Sequence, residues 1–193
     1  VDLFCGLGGW TRGFIKRGWN CAGFDIERHV YGTEQYPADL VIQDVLTIHG
    51  KQFKEADCIV ASPPCTEFSW MAMPWSRAKQ VERALLGQDK FPPNYLGSRT
   101  IGDLTALFNA CFRIQKEASA AAGLHIPMVV ENVRGANKWV GRARHNFGSY
   151  YLWGDVPALM PIARRVNKGR SNFHFYEKTG LQSPSFHGAA HEA

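Results

Sequence analysis

The stretch that decides the fold is VDLFCGLGG, residues 1–9. An apolar run that ends in closely spaced glycines is typical of a buried strand followed by a tight turn. A helix is predicted over residues 10–17, with Gly18 as its stop. Such a turn lets a ligand approach the backbone, and the helix N-terminus favours negative groups. By itself it fits a dinucleotide site or a plain tight turn, and Thr11 stands where the G-x-G-x-x-G pattern requires its last glycine.

Strands and helices alternate along the rest of the chain. Further strands are predicted over residues 20–26, 39–42, 57–61, 126–130 and 150–153, and further helices over residues 27–36, 77–86 and 101–122. The helix over residues 101–122 has the clearest apolar face, because its apolar residues recur at i, i+3 and i+4. The alternation predicts an α/β fold with a doubly wound, parallel, Rossmann-like sheet.

The composition indicates a globular chain with a mild basic excess. Of 193 residues, 45% are hydrophobic and 20% are charged, which is ordinary for a soluble globular protein. The formal net charge of +5 suits a nucleic-acid partner but also fits a slightly basic enzyme. No apolar run approaches the roughly 20 residues of a membrane span. The cysteines include no C-x-x-C pair, so we expect neither disulfides nor a metal site.

Two candidate catalytic residues follow predicted strands. Cys65 lies in ASPPCTEFS, residues 61–69, where two prolines stiffen the end of a strand. A lone cysteine is more often packed than catalytic, but strand ends are where active sites of open α/β sheets collect. Glu131 ends a buried strand in VVENV, residues 129–133, where an acid is costly unless it has a partner or a function. A salt-bridged structural acid is the alternative for Glu131.

The glycine turn, Pro-Pro-Cys and Glu-Asn-Val, in this order, resemble the DNA cytosine-5 methyltransferase family. The resemblance implies the methyltransferase fold and methyl transfer from S-adenosylmethionine to C5 of cytosine, with S-adenosylhomocysteine as the product and no metal. It implies a covalent bond between Cys65 and C6 of a base flipped out of double-stranded DNA. We expect a compact, monomeric enzyme of bacterial or phage type that works in the cytoplasm, without membrane contact.

The resemblance also assigns a cofactor site. Asp25 stands at the tip of the second strand, where ribose hydroxyls are gripped, and Asp44 would bond adenine or cap the next segment. Ile26 corresponds to the apolar residue against adenine, and Leu107 lies in a Leu-Phe pair on the methionine side. The implied cofactor-binding residues are Phe4, Gly6, Gly8, Asp25, Ile26, Asp44, Val45, Pro64 and Leu107.

Cationic and polar residues complete the predicted site. Arg142 and Arg144 would contact cytosine O2 and a phosphate or the nucleophile loop, and on a strand they would face one side. The glutamine of the family's Q-x-R-x-R pattern is absent, so a solvated basic turn is the alternative. Asn132 would fix the loop that places Glu131. The implied substrate-binding residues are Ser69, Asn132, Arg164 and Arg165, and the last two fit either phosphate contacts or an ordinary basic hairpin.

We expect a catalytic domain over residues 1–153, a reduced target-recognition region over residues 154–180 and a flexible tail over residues 181–193. Val1 already lies inside a strand pattern, and the family's C-terminal helix with an Asn-rich motif has no match. The chain is therefore predicted to lack its natural N-terminus and to be truncated or reduced at its C-terminus.

Three alternative functions remain open from the sequence. The same chemistry on transfer RNA would use stacking and 2′-hydroxyl contacts, which no residue here distinguishes from DNA contacts. A non-catalytic nucleic-acid-binding protein fits the missing C-terminal motif but not the intact Cys65 and Glu131. A nucleotide-dependent oxidoreductase would leave Pro-Pro-Cys and Glu-Asn-Val without a purpose.

Overall fold

The structure, a computed structural model, describes residues 1–69 and 74–158. These residues form a mixed α/β fold with a mostly parallel central sheet. The strands are β1 (Asp2–Leu3), β2 (Ala22–Asp25), β3 (Val30–Tyr31), β4 (Glu34–Gln35), β5 (Asp39–Ile42), β6 (Ile59–Ala61), β7 (Met128–Asn132), β8 (His145–Phe147) and β9 (Tyr150–Gly154). The α-helices are α1 (Gly9–Ile15), α2 (Trp75–Leu85), α3 (Ile101–Ala122) and α4 (Asn137–Val140). Short 3₁₀ turns cover Val45–Thr47, Gly50–Phe53 and Arg134–Ala136.

The central sheet has the strand order β5-β2-β1-β6-β7-β9-β8 within the described residues. The first five strands pair in parallel, so their carboxyl ends lie along one edge. β9 and β8 pair antiparallel, which differs from the all-parallel expectation. Their connection is a tight hairpin with Gly148 at φ 60°, and only antiparallel neighbours accept so short a turn.

The long helix α3 contributes one face to the hydrophobic core. Its predicted bounds, residues 101–122, are confirmed. Thr100 and Asp103 form a capping box at its start, and Gly123 ends it in the left-handed conformation. One face is buried, and this face includes Leu104, Phe108, Cys111, Ile114 and Ala118. Neither α3 nor any other helix in the described part of the chain is long and apolar enough to cross a membrane.

The helix predicted over residues 27–36 is wrong. The segment forms the separate hairpin β3–β4, in which Val30 pairs with Gln35 and Tyr31 with Glu34. Gly32, at φ 56°, makes the turn, and a residue with this conformation breaks a helix. Long-range contacts favour the hairpin as well, because the Arg12 guanidinium of α1 pairs with the Glu34 carboxylate.

Asp155, which follows β9, joins the sheet to α3. Its Oδ2 accepts hydrogen bonds from Gln115 Nε2 at 2.7 Å and from Met128 N at 2.9 Å, and it contacts His125 Nε2 at 3.0 Å. Burial pushes the pKa of Asp155 up, but these hydrogen bonds outweigh burial and hold the pKa below its ordinary value. The ionised carboxylate therefore stabilises the end of β9.

Replacing Asp155 with alanine should lower the free energy of unfolding by about 1–3 kcal/mol, because three donors lose their acceptor. A carboxyl with a depressed folded pKa stabilises above its unfolded pKa, and the stability is lost as pH falls through the folded pKa. The difference in free energy of unfolding between wild type and Asp155→Ala, measured by urea denaturation, should therefore shrink below pH 3.8, the ordinary pKa of aspartate. The control is Asp57→Ala, which removes an exposed carboxylate with no hydrogen bond among the described residues. It should stay within about 0.5 kcal/mol of wild type, and an equal effect of both variants would contradict the role of Asp155.

Candidate active site

Most predicted site residues of the first 131 positions lie at the carboxyl edge of the parallel strands, whereas Leu107 lies on α3. The glycine turn follows β1, Asp25 ends β2, and Asp44 follows β5. Cys65 follows β6, and Glu131 lies near the end of β7, which pairs with β6. Ligands of open α/β sheets bind outside this edge, so the topology brings the two predicted halves of the site to one place.

The glycine turn is a strained loop that leaves room beside its backbone. Phe4, Gly6 and Gly8 all have positive φ, at 56°, 49° and 81°. For Phe4 this conformation is sparsely populated and costs energy. A Cβ added to Gly6 would meet no atom within 4 Å, so open space adjoins the turn there.

Gly8 is required by packing. A Cβ at this position would lie 2.5 Å from Pro37 Cδ, and its φ of 81° independently favours glycine. Thr11 is buried, and its hydroxyl bridges Asp2 and Tyr36 at 2.7 Å each. Thr11, which departs from the dinucleotide pattern, therefore has a structural role as a hydrogen-bonding residue. A cofactor role for Gly8 stays a prediction.

Asp25 holds the glycine turn in place. Its Oδ2 accepts a hydrogen bond from Gly6 N at 2.8 Å, and its Oδ1 accepts one from Ile26 N at 2.8 Å. Oδ1 is also contacted by His29 Nε2 at 3.4 Å, so Oδ2 is the oxygen that keeps one acceptor position for a ribose hydroxyl. The Ile26 side chain is 67% exposed at the strand end, which leaves an uncovered apolar surface next to the carboxylate.

Asp44 caps the 3₁₀ turn that follows it, as the structural alternative predicted. Its Oδ1 accepts a hydrogen bond from Leu46 N at 2.9 Å. Val45 is 2% exposed and packs into the core, whereas Leu46 is exposed. Leu107 is half-buried on α3. Three features of this edge fit the adenine and ribose of S-adenosylmethionine. They are the open space at Gly6, the spare acceptor capacity of Asp25 and the exposed apolar side chain of Ile26.

The Cys65 loop is fixed from both sides. The carbonyl of Cys65 accepts hydrogen bonds from Phe68 N at 3.0 Å and Ser69 N at 2.9 Å, and the buried Phe68 side chain anchors this turn in the core. Asn132 Nδ2 donates to Pro63 O at 2.9 Å, and Val133 N donates to Asn132 Oδ1 at 2.8 Å. The buried amide thereby ties the end of β7 to the proline turn before the half-buried cysteine.

Glu131 lies close enough to Cys65 to shift the pKa of the thiol. Burial raises the pKa of the Cys65 thiol, and the charge of Glu131 raises it further. Burial also raises the pKa of Glu131, which a hydrogen bond from Ser62 partly offsets. Ser62 Oγ in turn accepts a hydrogen bond from Trp10 Nε1 at 2.9 Å. Sequence analysis missed Ser62 and Trp10, because only the fold brings these distant positions together.

The arginine pair lies before β8 and not on a strand, so the condition under which both side chains would face one side is not met. Arg142 and Arg144 are exposed on either side of the half-buried Ala143. Arg144 N donates to Leu152 O at 2.9 Å, and Leu152 pairs with Glu131 across β9 and β7. At the usual strand spacing, the Arg144 backbone is about 10 Å from Glu131. The side chains of the two arginines make no hydrogen bond or ion pair within residues 1–69 and 74–158, so their catalytic role stays a prediction.

The remaining candidate positions are only partly described. Ser69 is half-buried at the end of the Cys65 turn, and Pro64 is exposed beside the thiol. Arg164 and Arg165, most of the region 154–180 and the tail 181–193 lie outside the described residues. Among the residues that are described, no group of three or more His, Cys, Asp or Glu side chains could hold a metal ion.

A comparison with known families agrees with the chemistry of this edge. The family model for C-5 cytosine-specific DNA methylase matches residues 1–77. The matched part contains the glycine turn, Asp25, Asp44 and Cys65, and it ends before Glu131 and the arginine pair. No curated protein matches the chain. The match supports the DNA cytosine-5 methyltransferase family, which implies S-adenosylmethionine-dependent methylation of cytosine in DNA.

The Asn132 amide should matter for stability through its orientation as well as its presence. Asn132→Ala should cost about 1–3 kcal/mol of unfolding free energy, because it leaves the buried Pro63 carbonyl and Val133 N–H without partners. Asn132→Asp should cost more, because it places a carboxylate oxygen against that carbonyl. Chemical denaturation measures both variants. Asn146→Ala is the control, because its amide is exposed and makes one long bond of 3.4 Å, and equal stability of the three variants would exclude this role.

Removing the charge of Glu131 should make the Cys65 thiol more acidic. In Glu131→Gln, the pH profile of iodoacetamide alkylation at Cys65 should move to lower pH, because only the thiolate reacts and the neighbouring charge that opposes it is gone. Peptide mass spectrometry measures the rate at each site. Cys58 is the internal control, because Glu131 is not among the groups that shift its pKa. An unchanged or upward-shifted Cys65 profile would show that Glu131 does not act on the thiol.

Proposed function

We propose that this protein transfers a methyl group from S-adenosylmethionine to C5 of cytosine in double-stranded DNA, through a covalent bond to Cys65, on a doubly wound, Rossmann-like fold. One observation carries the proposal. The Cys65 turn leaves β6 between its two parallel neighbours, with the glycine turn of β1 on one side and Glu131 of β7 on the other. A nucleophile, a carboxyl and a turn suited to a cofactor thus share one edge of the sheet.

The cofactor would lie along the carboxyl ends of β1, β2 and β5. Open space beside Gly6, one spare acceptor position on Asp25 Oδ2 and the exposed Ile26 side chain support this assignment. S-adenosylmethionine supplies an electrophilic methyl group. The residues that would hold it are Phe4, Gly6, Gly8, Asp25, Ile26, Asp44, Val45, Pro64 and Leu107.

Cys65 would act as the nucleophile. Its thiolate would add to C6 of cytosine, the π electron pair of the C5–C6 bond would shift towards C4 and N3, and C5 of the resulting enamine would take the methyl group, with S-adenosylhomocysteine as the leaving group. Loss of the C5 proton to a base then drives out the thiolate and restores the aromatic ring. The pKa of the resting thiol is raised by burial and by Glu131, so the enzyme alone holds Cys65 mostly protonated at neutral pH.

Glu131 would hold the N3 edge of the base. Burial raises the pKa of this carboxyl, and a protonated carboxyl donates a hydrogen bond to N3. Such a bond withdraws electrons from the ring and favours attack at C6. Protonation of Glu131 also removes the charge that opposes the thiolate, so the two groups would be activated together.

The base must leave the duplex for Cys65 to reach it. Arg142 and Arg144 are exposed, and their side chains make no hydrogen bond or ion pair within the described ranges, so they remain available for cytosine O2 or a phosphate. Ser69, Asn132, Arg164 and Arg165 are the proposed further substrate contacts. We assign residues 1–153 to the catalytic domain, residues 154–180 to target recognition and residues 181–193 to a tail.

Trapping on 5-fluorocytosine tests this proposal directly. Duplex DNA of varied sequence that carries 5-fluorocytosine and S-adenosylmethionine should yield a covalent adduct, because fluorine at C5 blocks the final elimination. Intact-mass spectrometry should find the adduct in wild type and in Cys58→Ser, and find none in Cys65→Ser. Cys58 is a matched control, because it is half-buried at the other end of the same strand.

Each other outcome has a distinct meaning. An adduct that survives Cys65→Ser would exclude this cysteine as the nucleophile. An adduct on 5-fluorocytidine RNA hairpins but on no DNA would assign the same chemistry to RNA. If the wild-type protein does not bind S-adenosylmethionine and forms no adduct, it is non-catalytic.

A further inference from the structure

Arg113 connects α3 to the turn that follows β5. Its Nη1 donates to Ile48 O at 2.8 Å, and its Nη2 donates to Leu46 O at 3.2 Å and reaches Val45 O at 3.5 Å. Carbonyls at the end of a 3₁₀ turn lack partners within the turn. The guanidinium supplies these partners from a different element, more than 60 residues away in sequence.

Glu117, one helical turn later, completes this brace. Its Oε1 accepts a hydrogen bond from Arg113 Nη1 at 3.1 Å, and its Oε2 accepts one from Gly50 N at 2.6 Å. The bond from Gly50 N, together with Arg113, lowers the pKa of Glu117. A Cβ at Gly50 would lie 2.1 Å from Ile114 O, so the backbone of the turn lies directly against α3.

The braced turn is the one that Asp44 begins. Asp44 Oδ1 accepts from Leu46 N, and Arg113 bonds the carbonyl of the same Leu46 residue. The peptide units that carry the predicted adenine contacts, Asp44 and Val45, are therefore fixed from α3. Nothing in the catalytic chemistry itself requires an arginine at this place.

We propose that Arg113 is a positioning residue for the adenosyl half of S-adenosylmethionine, which it fixes by holding the 44–50 turn against α3. This assignment rests on the proposed function. Leu107, the predicted contact of the methionine half, lies on the same helix six residues earlier, a rise of about 9 Å. One rigid helix thus sets the distance between the two ends of the cofactor site. Lysine could not replace Arg113, because a single ammonium lacks the planar set of donors that reaches several carbonyls.

The test compares Arg113→Ala and Arg113→Lys with wild type. Arg113→Ala should raise the Kd of S-adenosylmethionine about tenfold and that of adenosine by the same factor, because a charged hydrogen-bonding group that orders the turn is gone. Arg113→Lys should be intermediate. At saturating S-adenosylmethionine, kcat should stay within about twofold of wild type, because the chemical groups are untouched. Isothermal titration calorimetry gives both Kd values, and hydrogen exchange of residues 44–50 without ligand should speed up in Arg113→Ala.

Lys116→Ala is the matched control, because Lys116 is an exposed cation on the same helix with no bond among the described residues. It should leave both Kd values unchanged. If Arg113→Ala and Lys116→Ala bind S-adenosylmethionine equally, the positioning role is wrong while the proposed function stands. The positioning role is also wrong if Arg113→Ala lowers the folded fraction but leaves the Kd values unchanged. It is wrong as well if Arg113→Ala weakens the binding of S-adenosylmethionine but not that of adenosine. A wild-type protein without affinity for S-adenosylmethionine overturns the proposed function and this inference together.

Discussion

The parallel pairing of β6 between β1 and β7 determines where Cys65 lies relative to the glycine turn and Glu131. β6 contains three residues, all buried, and Ala61 at its end lies opposite Leu3 on one side and Val130 on the other. A slip of one residue would turn each side chain to the opposite face of the sheet. Because of this register, the chain leaves the sheet at Ser62, between the glycine turn and Glu131. The direction of the Pro-Pro-Cys segment that follows is therefore fixed.

This arrangement places a half-buried carboxyl next to a half-buried thiol. Two groups that repel each other when ionised cannot both be charged cheaply in such a place. Ser62 relieves part of the strain, because its hydroxyl bonds Glu131 while Trp10 Nε1 satisfies its oxygen. Burial of the thiol and, to a lesser extent, the charge of Glu131 raise the pKa of Cys65 and keep it protonated, and a protonated thiol resists oxidation and stray alkylation. In the proposed reaction, the base itself removes the conflict by accepting a hydrogen bond from a protonated Glu131.

Features with a local cause could be predicted from the sequence, and features with a distant cause could not. The bounds of α3 follow from a capping box, a periodic apolar face and Gly123, all of which are local signals. The helix prediction for the β3–β4 hairpin is wrong although Gly32 is a local turn signal, and the Arg12–Glu34 contact that adds to the hairpin comes from a distant element. Arg142 and Arg144 lie before β8, which begins only at His145, after the loop in which Ala143 N bonds Asn137 Oδ1. Ser62 and Arg113 have no local pattern at all, since their partners are tens of residues away.

The two halves of the proposed site are joined by α3 rather than by the sheet edge alone. On the cofactor side, Arg113 and Glu117 hold the turn after β5. Between them in sequence, Gln115 bonds both Ile126 O and Asp155, and so fixes the start of β7 and the residue after β9. Arg113 and Glu117 lie one turn apart on the same face of α3, and Gln115 lies on the opposite side, so one rigid segment contacts both flanks of the sheet. A helix resists bending over so short a distance, so the position of Glu131 on β7 is linked mechanically to the position of the 44–50 turn. The site is assembled from strand ends, but it obtains a fixed geometry from a helix that contributes no reacting group.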